Sequence, residues 1–207
     1  MSLKIKAGNY CYRRRVRSFM REDEDAWIDE MKTHFSQVCE FPASESQVNA
    51  WRDTFRNLKE SLISLPNYYG DLMLVFEYCL PKKYRGIFVL KRSDVTIVSR
   101  DTVVILEFKQ TSHFEIGASR QVRGYRRLFR QYHDKSKGKR IKCITVFTDK
   151  ENYRKDEYRV IRCSPDRLSE IMIEFLGQNP QHLTRVEEKE WLHSSFSSIP
   201  DNHSSEE

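Results

Sequence analysis

Apolar residues recur along this chain in two rhythms, and the switches between them set the order of elements. Val48, Trp51, Phe55, Leu58, Leu62 and Leu65 follow one another at three- and four-residue steps, the spacing of one helix face. Ser44-Glu45-Ser46-Gln47 stands just before them in the S-x-x-Q form of a capping box, which satisfies N–H groups of a first turn. Pro66 and Gly70 close that helix. Three strand-like runs follow, over residues 72–80, 87–98 and 102–109. The third is nearly continuous β-branched and aliphatic sequence, the pattern of a strand covered on both faces. Only Ser99-Arg100-Asp101 separates the second run from the third, a length suited to a hairpin.

A helix over 116–133 comes next, then a basic loop at 135–139. Strands over 141–148 and 158–163 and a helix over 165–176 complete the series. Upstream, Trp27, Met31 and Phe35 mark a short amphipathic helix. This order predicts an α/β fold, a mixed central β-sheet flanked by helices. The core is expected over 44–177. Residues 1–43 read as a charged N-terminal extension carrying the short helix. Residues 178–207 read as a largely flexible C-terminal tail, with a short charged stretch at 187–191.

Composition narrows the function classes. A chain of 207 residues with 39% hydrophobic and 32% charged residues suits one globular domain, neither disordered nor membrane-embedded. The longest apolar runs, such as Val103-Val104-Ile105-Leu106, are far too short to span a bilayer. The first residues carry Lys4 and Lys6 rather than an apolar run, so no secretory leader is expected. Five cysteines without a C-x-x-C pair match neither a zinc site nor a disulfide framework. A cytoplasmic setting with no membrane partner follows as the expectation. The formal charge of +6 favours an anionic partner. Its distribution is uneven: Arg13-Arg14-Arg15-Val16-Arg17 is followed by Glu22-Asp23-Glu24-Asp25, and such blocks can neutralise one another.

Two charges interrupt the run at 102–109. Side chains alternate along a strand, so Glu107 and Lys109 share a face with Val103 and Ile105. A buried charge persists when it is paired or bound to a metal. A local salt bridge at the strand end is the plainer explanation. Asp94 shifts the balance, because hairpin pairing would bring its carboxylate beside that of Glu107; alone, Asp94 also reads as a strand-end residue. Two adjacent carboxylates suit Mg²⁺, which takes one or two of them plus water and phosphate oxygens. A lysine beside them can serve the attacking water. On the following helix Gln121 and Tyr125 lie one turn apart. The same helix carries Arg120, Arg123, Arg126, Arg127 and Arg130 with no intervening acid. Such a face is either merely solvated or a grip on a phosphate backbone. His113 and His133 lack a metal-ligand spacing, and no phosphate-binding loop or nucleophile elbow is present.

Asp94, then Glu107-Phe108-Lys109, then the Q-x-x-x-Y of Gln121 to Tyr125 resembles the PD-(D/E)XK nuclease superfamily, in particular its RecB-like branch. Glu77-Tyr78-Cys79-Leu80-Pro81 with Glu107-Phe108-Lys109-Gln110 downstream is also similar to the nuclease-like N-terminal domain of some bacterial helicase-like proteins. The resemblance spans roughly residues 40–165. It implies a restriction-endonuclease-like core and a metal-dependent nuclease acting on DNA ahead of RNA. It implies that Asp94 and Glu107, with the Phe108 carbonyl, hold Mg²⁺ (or Mn²⁺), and that Lys109 serves the water. Gln121 and Tyr125 would position substrate or brace the site. A further glutamate from the first helix would be Glu45, which also reads as an acid favoured by the helix dipole. Lys91-Arg92-Ser93 before Asp94 departs from the small or apolar residues of the family, which leaves the alignment of Asp94 open by a few positions. No motor motif is present, so the companion would be a second copy or a helicase-like or defence partner. The competing expectation is an inactive nuclease-like module that binds nucleic acid or a protein.

Overall fold

The elements expected from the apolar rhythm are joined by others in a computed structural model that describes residues 10–84, 87–111, 115–157 and 159–197. In chain order they are β1 (Tyr12–Arg15), α1 (Val16–Phe19), α2 (Glu24–Cys39), α3 (Glu45–Ile63), β2 (Met73–Tyr84), β3 (Ile87–Val98) and β4 (Thr102–Lys109). Then come α4 (Glu115–Gln131), β5 (Arg140–Phe147), β6 (Arg154–Glu157), β7 (Val160–Cys163), α5 (Pro165–Leu176) and α6 (Arg185–Leu192). The strands make one sheet in the order β1-β2-β3-β4-β5-β7-β6. β1 to β4 are antiparallel neighbours. β4, β5 and β7 run parallel, and β6 returns antiparallel. Parallel neighbours need a long crossover, and α4 supplies the one between β4 and β5. The fold is therefore α/β, a mixed sheet flanked by helices.

Each face of the sheet carries its own apolar layer. Trp27, Trp51, Phe55 and Leu168 from α2, α3 and α5 pack with Leu74, Phe76, Val104 and Leu106. On the other face Val122, Tyr125, Phe129 and Trp191 from α4 and α6 pack with Val75, Tyr78, Val103 and Ile105. β4 thus sends alternate residues into both layers, which is why its sequence runs apolar without a break. Burial of each such aliphatic side chain is worth roughly 1.5–3 kcal/mol.

Two peripheral segments differ from expectation. Residues up to 43, where described, belong to the core. β1 extends the sheet, with Tyr12 opposite Phe76. α2 runs for 16 residues from an Asp23 cap and buries Trp27, Ile28, Met31 and Phe35. The opposed charge blocks do pair, as in Arg14 with Glu22 at 2.8 Å, yet they flank buried Tyr12, Val16 and Phe19. The stretch after residue 177 is likewise not a free tail as far as residue 197. Thr184 and Glu187 close a complete capping box on α6, and Trp191 is buried beneath it. A few apolar anchors inside highly charged sequence suffice to dock both segments. β6 was not expected because its sequence, Arg-Lys-Asp-Glu, is wholly charged. It occupies a sheet edge, where charge guards against pairing with other chains. Among the described residues no helix is long and apolar enough to cross a membrane.

Candidate active site

The sheet changes phase where the acidic residues meet. In β2, Met73 and Val75 face the α4 layer, while Leu74 and Phe76 face the α3 layer. Beyond Glu77 the alternation inverts, and Tyr78 and Leu80 face the α4 layer. The β2–β3 ladder pairs Phe76 with Val95 and Tyr78 with Ser93, so Glu77 and Asp94 stand opposite each other between the two pairs. Glu77 has φ 51°, a left-handed conformation uncommon for a residue with a Cβ. Such interruptions re-aim side chains, and they concentrate at functional sites.

Asp94 is fixed by backbone. Its Oδ2 accepts the Phe108 N–H at 2.7 Å. The ladder register Val95 to Leu106, continued by one residue, sets Asp94 opposite Glu107, as hairpin pairing predicts. Glu107 Oε1 accepts Lys109 Nζ at 2.8 Å and Gln121 Nε2 at 2.7 Å. Gln121 also donates to the Tyr125 hydroxyl at 2.7 Å and accepts from Lys109 at 3.4 Å. Tyr125 in turn donates to the Arg92 carbonyl at 2.8 Å. The expected Asp94, Glu107, Lys109, Gln121 and Tyr125 therefore form one connected cluster.

Glu45 stands apart from it. It is exposed in the first turn of α3, consistent with its dipole role and not with ligation at this cluster. The glutamate that does reach the site is Glu77, which the sequence resemblance includes in Glu77-Tyr78-Cys79-Leu80-Pro81 without giving it a role. Its Oε1 accepts Trp51 Nε1 at 2.9 Å and Gln47 Nε2 at 3.3 Å, and its Oε2 pairs with Arg92 Nε at 2.7 Å. The Ser44 half of the predicted capping box forms, with the Gln47 N–H at 3.2 Å. The Gln47 side chain reaches Glu77 instead of the cap. An acid inside the apolar run Leu74-Val75-Phe76-Glu77-Tyr78 was the available signal. A cleft of about 190 Å³ opens here, with Gln47, Trp51, Glu77, Asp94, Phe108 and Lys109 on its walls. Thr145 on β5 sits in register with Glu107 and completes the row behind it.

Burial dominates the electrostatics. It pushes Glu107 up to about 7, against the pull of Lys109. Burial followed by the charges of Glu107 and Glu77 holds Asp94 well above the ordinary carboxylate range. For Lys109, burial opposes the charge, but Glu107 outweighs it and raises the ammonium. Glu107 is 1% exposed, and its Oε2 has no hydrogen-bond partner. The Thr145 hydroxyl beside it is equally buried and equally without one. Native interiors rarely leave such atoms unmatched. Two adjacent carboxylates with a free buried oxygen fit a hard divalent cation such as Mg²⁺. Asp94 and Glu107 are the side chains able to hold it. Among the described residues no group of three or more His, Cys, Asp or Glu side chains is arranged for a metal, so solvent and substrate oxygens would complete the shell.

Of the expected basic face, Arg120, Arg123, Arg127 and Arg130 are exposed, and Arg126 is half-buried, its Nε donating to the Ile141 carbonyl at 3.2 Å. His113 lies outside the described residues. Compared with the models of known protein families, with curated proteins and with solved structures, the chain matches none.

Proposed function

We propose that this protein is a metal-dependent nuclease that hydrolyses phosphodiester bonds, in DNA ahead of RNA. Glu107 carries this reading: it is fully buried, faces a second carboxylate, holds a lysine on one oxygen and leaves the other without a partner. A salt bridge alone would explain the first oxygen and not the second. The resemblance of Asp94, Glu107-Phe108-Lys109 and Gln121/Tyr125 to the PD-(D/E)XK nucleases supports the same conclusion.

Asp94 and Glu107 would hold Mg²⁺ or Mn²⁺, which when bound would supply Lewis-acid charge against the phosphate. Lys109 lines the cleft with its ammonium fixed by Glu107 and Gln121. It orients the attacking water and presents positive charge where the phosphate gains negative charge. Gln121 and Tyr125 are positioning residues, since they act through Glu107 and Lys109. The exposed arginines of α4 hold substrate phosphates. The setting is cytoplasmic, with a second copy or a helicase-like or defence partner as companion.

The test is cleavage of labelled single- and double-stranded DNA and RNA by the full chain in Mg²⁺ or Mn²⁺, then in chelator. Chelator stops the reaction, and Glu107→Gln and Lys109→Ala each lower it at least ~100-fold, the size of effect that preorganised charge supplies. Equal cleavage by both variants removes this site from consideration. A second reading, a nuclease-like module that binds without cleaving, is favoured by the lack of a preassembled set of three ligands among the described residues. Binding of nucleic acid without metal-dependent cleavage would select it.

A further inference from the structure

We infer that a notch in the sheet between β5 and β7 seats the phosphate backbone of a nucleic-acid strand, away from the carboxylate cluster. The inference rests on the proposed nucleic-acid substrate and not on its hydrolysis. β4 pairs with β5 from Arg140 onward, but β7 pairs with β5 only from Ile144 to Val146. Among the described residues the first part of β5 therefore lacks a strand neighbour on one side. A cavity of about 670 Å³ occupies this gap, bounded by α4, α5 and the β6–β7 turn.

The charges on its walls are not balanced. Arg126, Arg130, Lys142 and Arg159 line it, and none has an ion-pair partner among the described residues. The acids on the same walls are already matched from outside. Arg154 pairs with Asp156 at 3.1 Å and Glu174 at 2.8 Å, and Arg162 pairs with Glu157 at 3.0 Å. What remains open to solvent chemistry is cationic. Arg159 sits at the β6–β7 turn with φ 67°, a conformation that would suit glycine or asparagine. A long cation is held there at a conformational cost.

Phosphates fit this arrangement better than the carboxylates of an acidic peptide. Arg126 and Arg130 are one helical turn apart, about 6 Å along the axis, a rise comparable to successive phosphates of a strand. Guanidinium groups match phosphate oxygens in pairs. The aromatic ring on the wall among the described residues, Phe175, is covered by Lys142 at 4.6 Å, so none of those residues offers a bare ring for bases to stack on. The notch grips backbone and reads no sequence. α4 joins it to the carboxylate cluster, with Gln121 at one end and Arg130 at the other.

Binding of fluorescent single- and double-stranded DNA in chelator, where hydrolysis is suppressed, tests this as salt is raised. Arg130→Ala/Lys142→Ala/Arg159→Ala weakens binding more than tenfold and lowers the slope of log K against log salt by about 2–3. A charge-matched control at the opposite sheet edge, Arg13→Ala/Arg185→Ala/Lys189→Ala, changes neither. Glu107→Gln keeps the full slope, so loss of cleavage there leaves this inference standing. Equal effects of the two triple variants, absence of DNA binding by the parent chain, or tighter binding to polyglutamate than to DNA would each overturn it. Cleavage with an unaltered slope in the notch variant would overturn it while leaving the nuclease reading intact.

Discussion

α4 covers a buried polar cluster at each end, and the two clusters are completed in opposite ways. Near its C-terminal end His133 shares hydrogen bonds with the Tyr78 hydroxyl at 2.9 Å and with Ser136 Oγ at 2.6 Å. Trp191 Nε1 donates to the same serine oxygen at 2.9 Å. Phe129, Trp191 and Phe196 surround the imidazole. Every ring nitrogen has a partner, and burial pushes His133 down to about 3, which keeps it neutral. Near the N-terminal end Glu107 lies equally deep, with half-buried Asp94 opposite it, but Glu107 Oε2 has no partner. A closed neutral network is architecture, tying α6 to the sheet. An open, charged one is costly to the fold unless something else uses it.

The sharpest way to break this comparison is to exchange the consequences. His133→Ala opens a cavity and strands Tyr78 and Ser136, so it should lower unfolding free energy by about 2–4 kcal/mol. Cleavage per folded molecule should stay within twofold. Glu107→Gln should do the reverse, with cleavage down at least ~100-fold and the chelated fold no less stable. Denaturant melts and initial rates on the same preparations decide it. An unstable Glu107→Gln that still cleaves would make Glu107–Lys109 an ordinary structural salt bridge.

Acid and base should separate the clusters next. Unfolded His133 takes a proton near 6.5, whereas the folded imidazole resists to about 3. Its contribution is complete above 6.5 and is lost as pH falls toward 3. Glu107 has the opposite sign: its carboxyl is raised from 4.5 to about 7 in the fold, so its contribution is complete below 4.5 and is lost as pH rises through 7. Each effect is of the order of a few kcal/mol. Between pH 5 and 6.5 the two effects offset each other, so in chelator the parent should lose stability from pH 6.5 to 8, and Glu107→Gln should flatten that decline. A parent curve that rises steadily over this range would show that Glu107 is not held in its neutral form.

The same contrast explains what the sequence could reveal. The buried run of β4, its two intruding charges and the helix with Gln121 and Tyr125 were legible because each breaks or keeps a local period. Asp94 beside Glu107 followed from hairpin pairing, despite the polar Lys91-Arg92-Ser93 before it. Arg92 proves structural, with its guanidinium on Glu77 and over Phe35 at 4.7 Å. Glu77 stands out as an acid in an apolar run, but its placement was hidden because it depends on a phase change between paired strands, which no single-strand period shows. β1, α2 and α6 were undervalued because dense charge masked a few anchors, among them Tyr12, Trp27 and Trp191. The notch was invisible because it arises where β7 stops short of β5, a tertiary fact.

Cation binding links the open cluster to pH more gently. A carboxylate must lose its proton to bind a metal, and Glu107 does so at about 7. Below that value apparent Mg²⁺ affinity should fall at least tenfold per pH unit, about 1.4 kcal/mol for each proton displaced, because the Asp94 carboxyl is raised as well. Titration of Mg²⁺-induced thermal stabilisation from pH 5.5 to 8.5 measures this. In Glu107→Gln the steep limb should vanish along with most of the stabilisation.

The smallest expected effect falls on Tyr125, which touches neither carboxylate by hydrogen bond. Tyr125→Phe removes its donation to the Arg92 carbonyl and its acceptance from Gln121. The loss of such bonds costs about 1 kcal/mol each, part of it offset because the phenyl ring keeps the packing of a residue only 3% exposed. Gln121 would still hold Glu107 but with one anchor fewer, so cleavage should drop severalfold with the Mg²⁺ requirement raised and no change in the limiting pH. A merely structural tyrosine would lower stability and leave the Mg²⁺ requirement where it was. The Mg²⁺ concentration for half-maximal cleavage therefore distinguishes a brace of the open cluster from a member of the α4 packing layer.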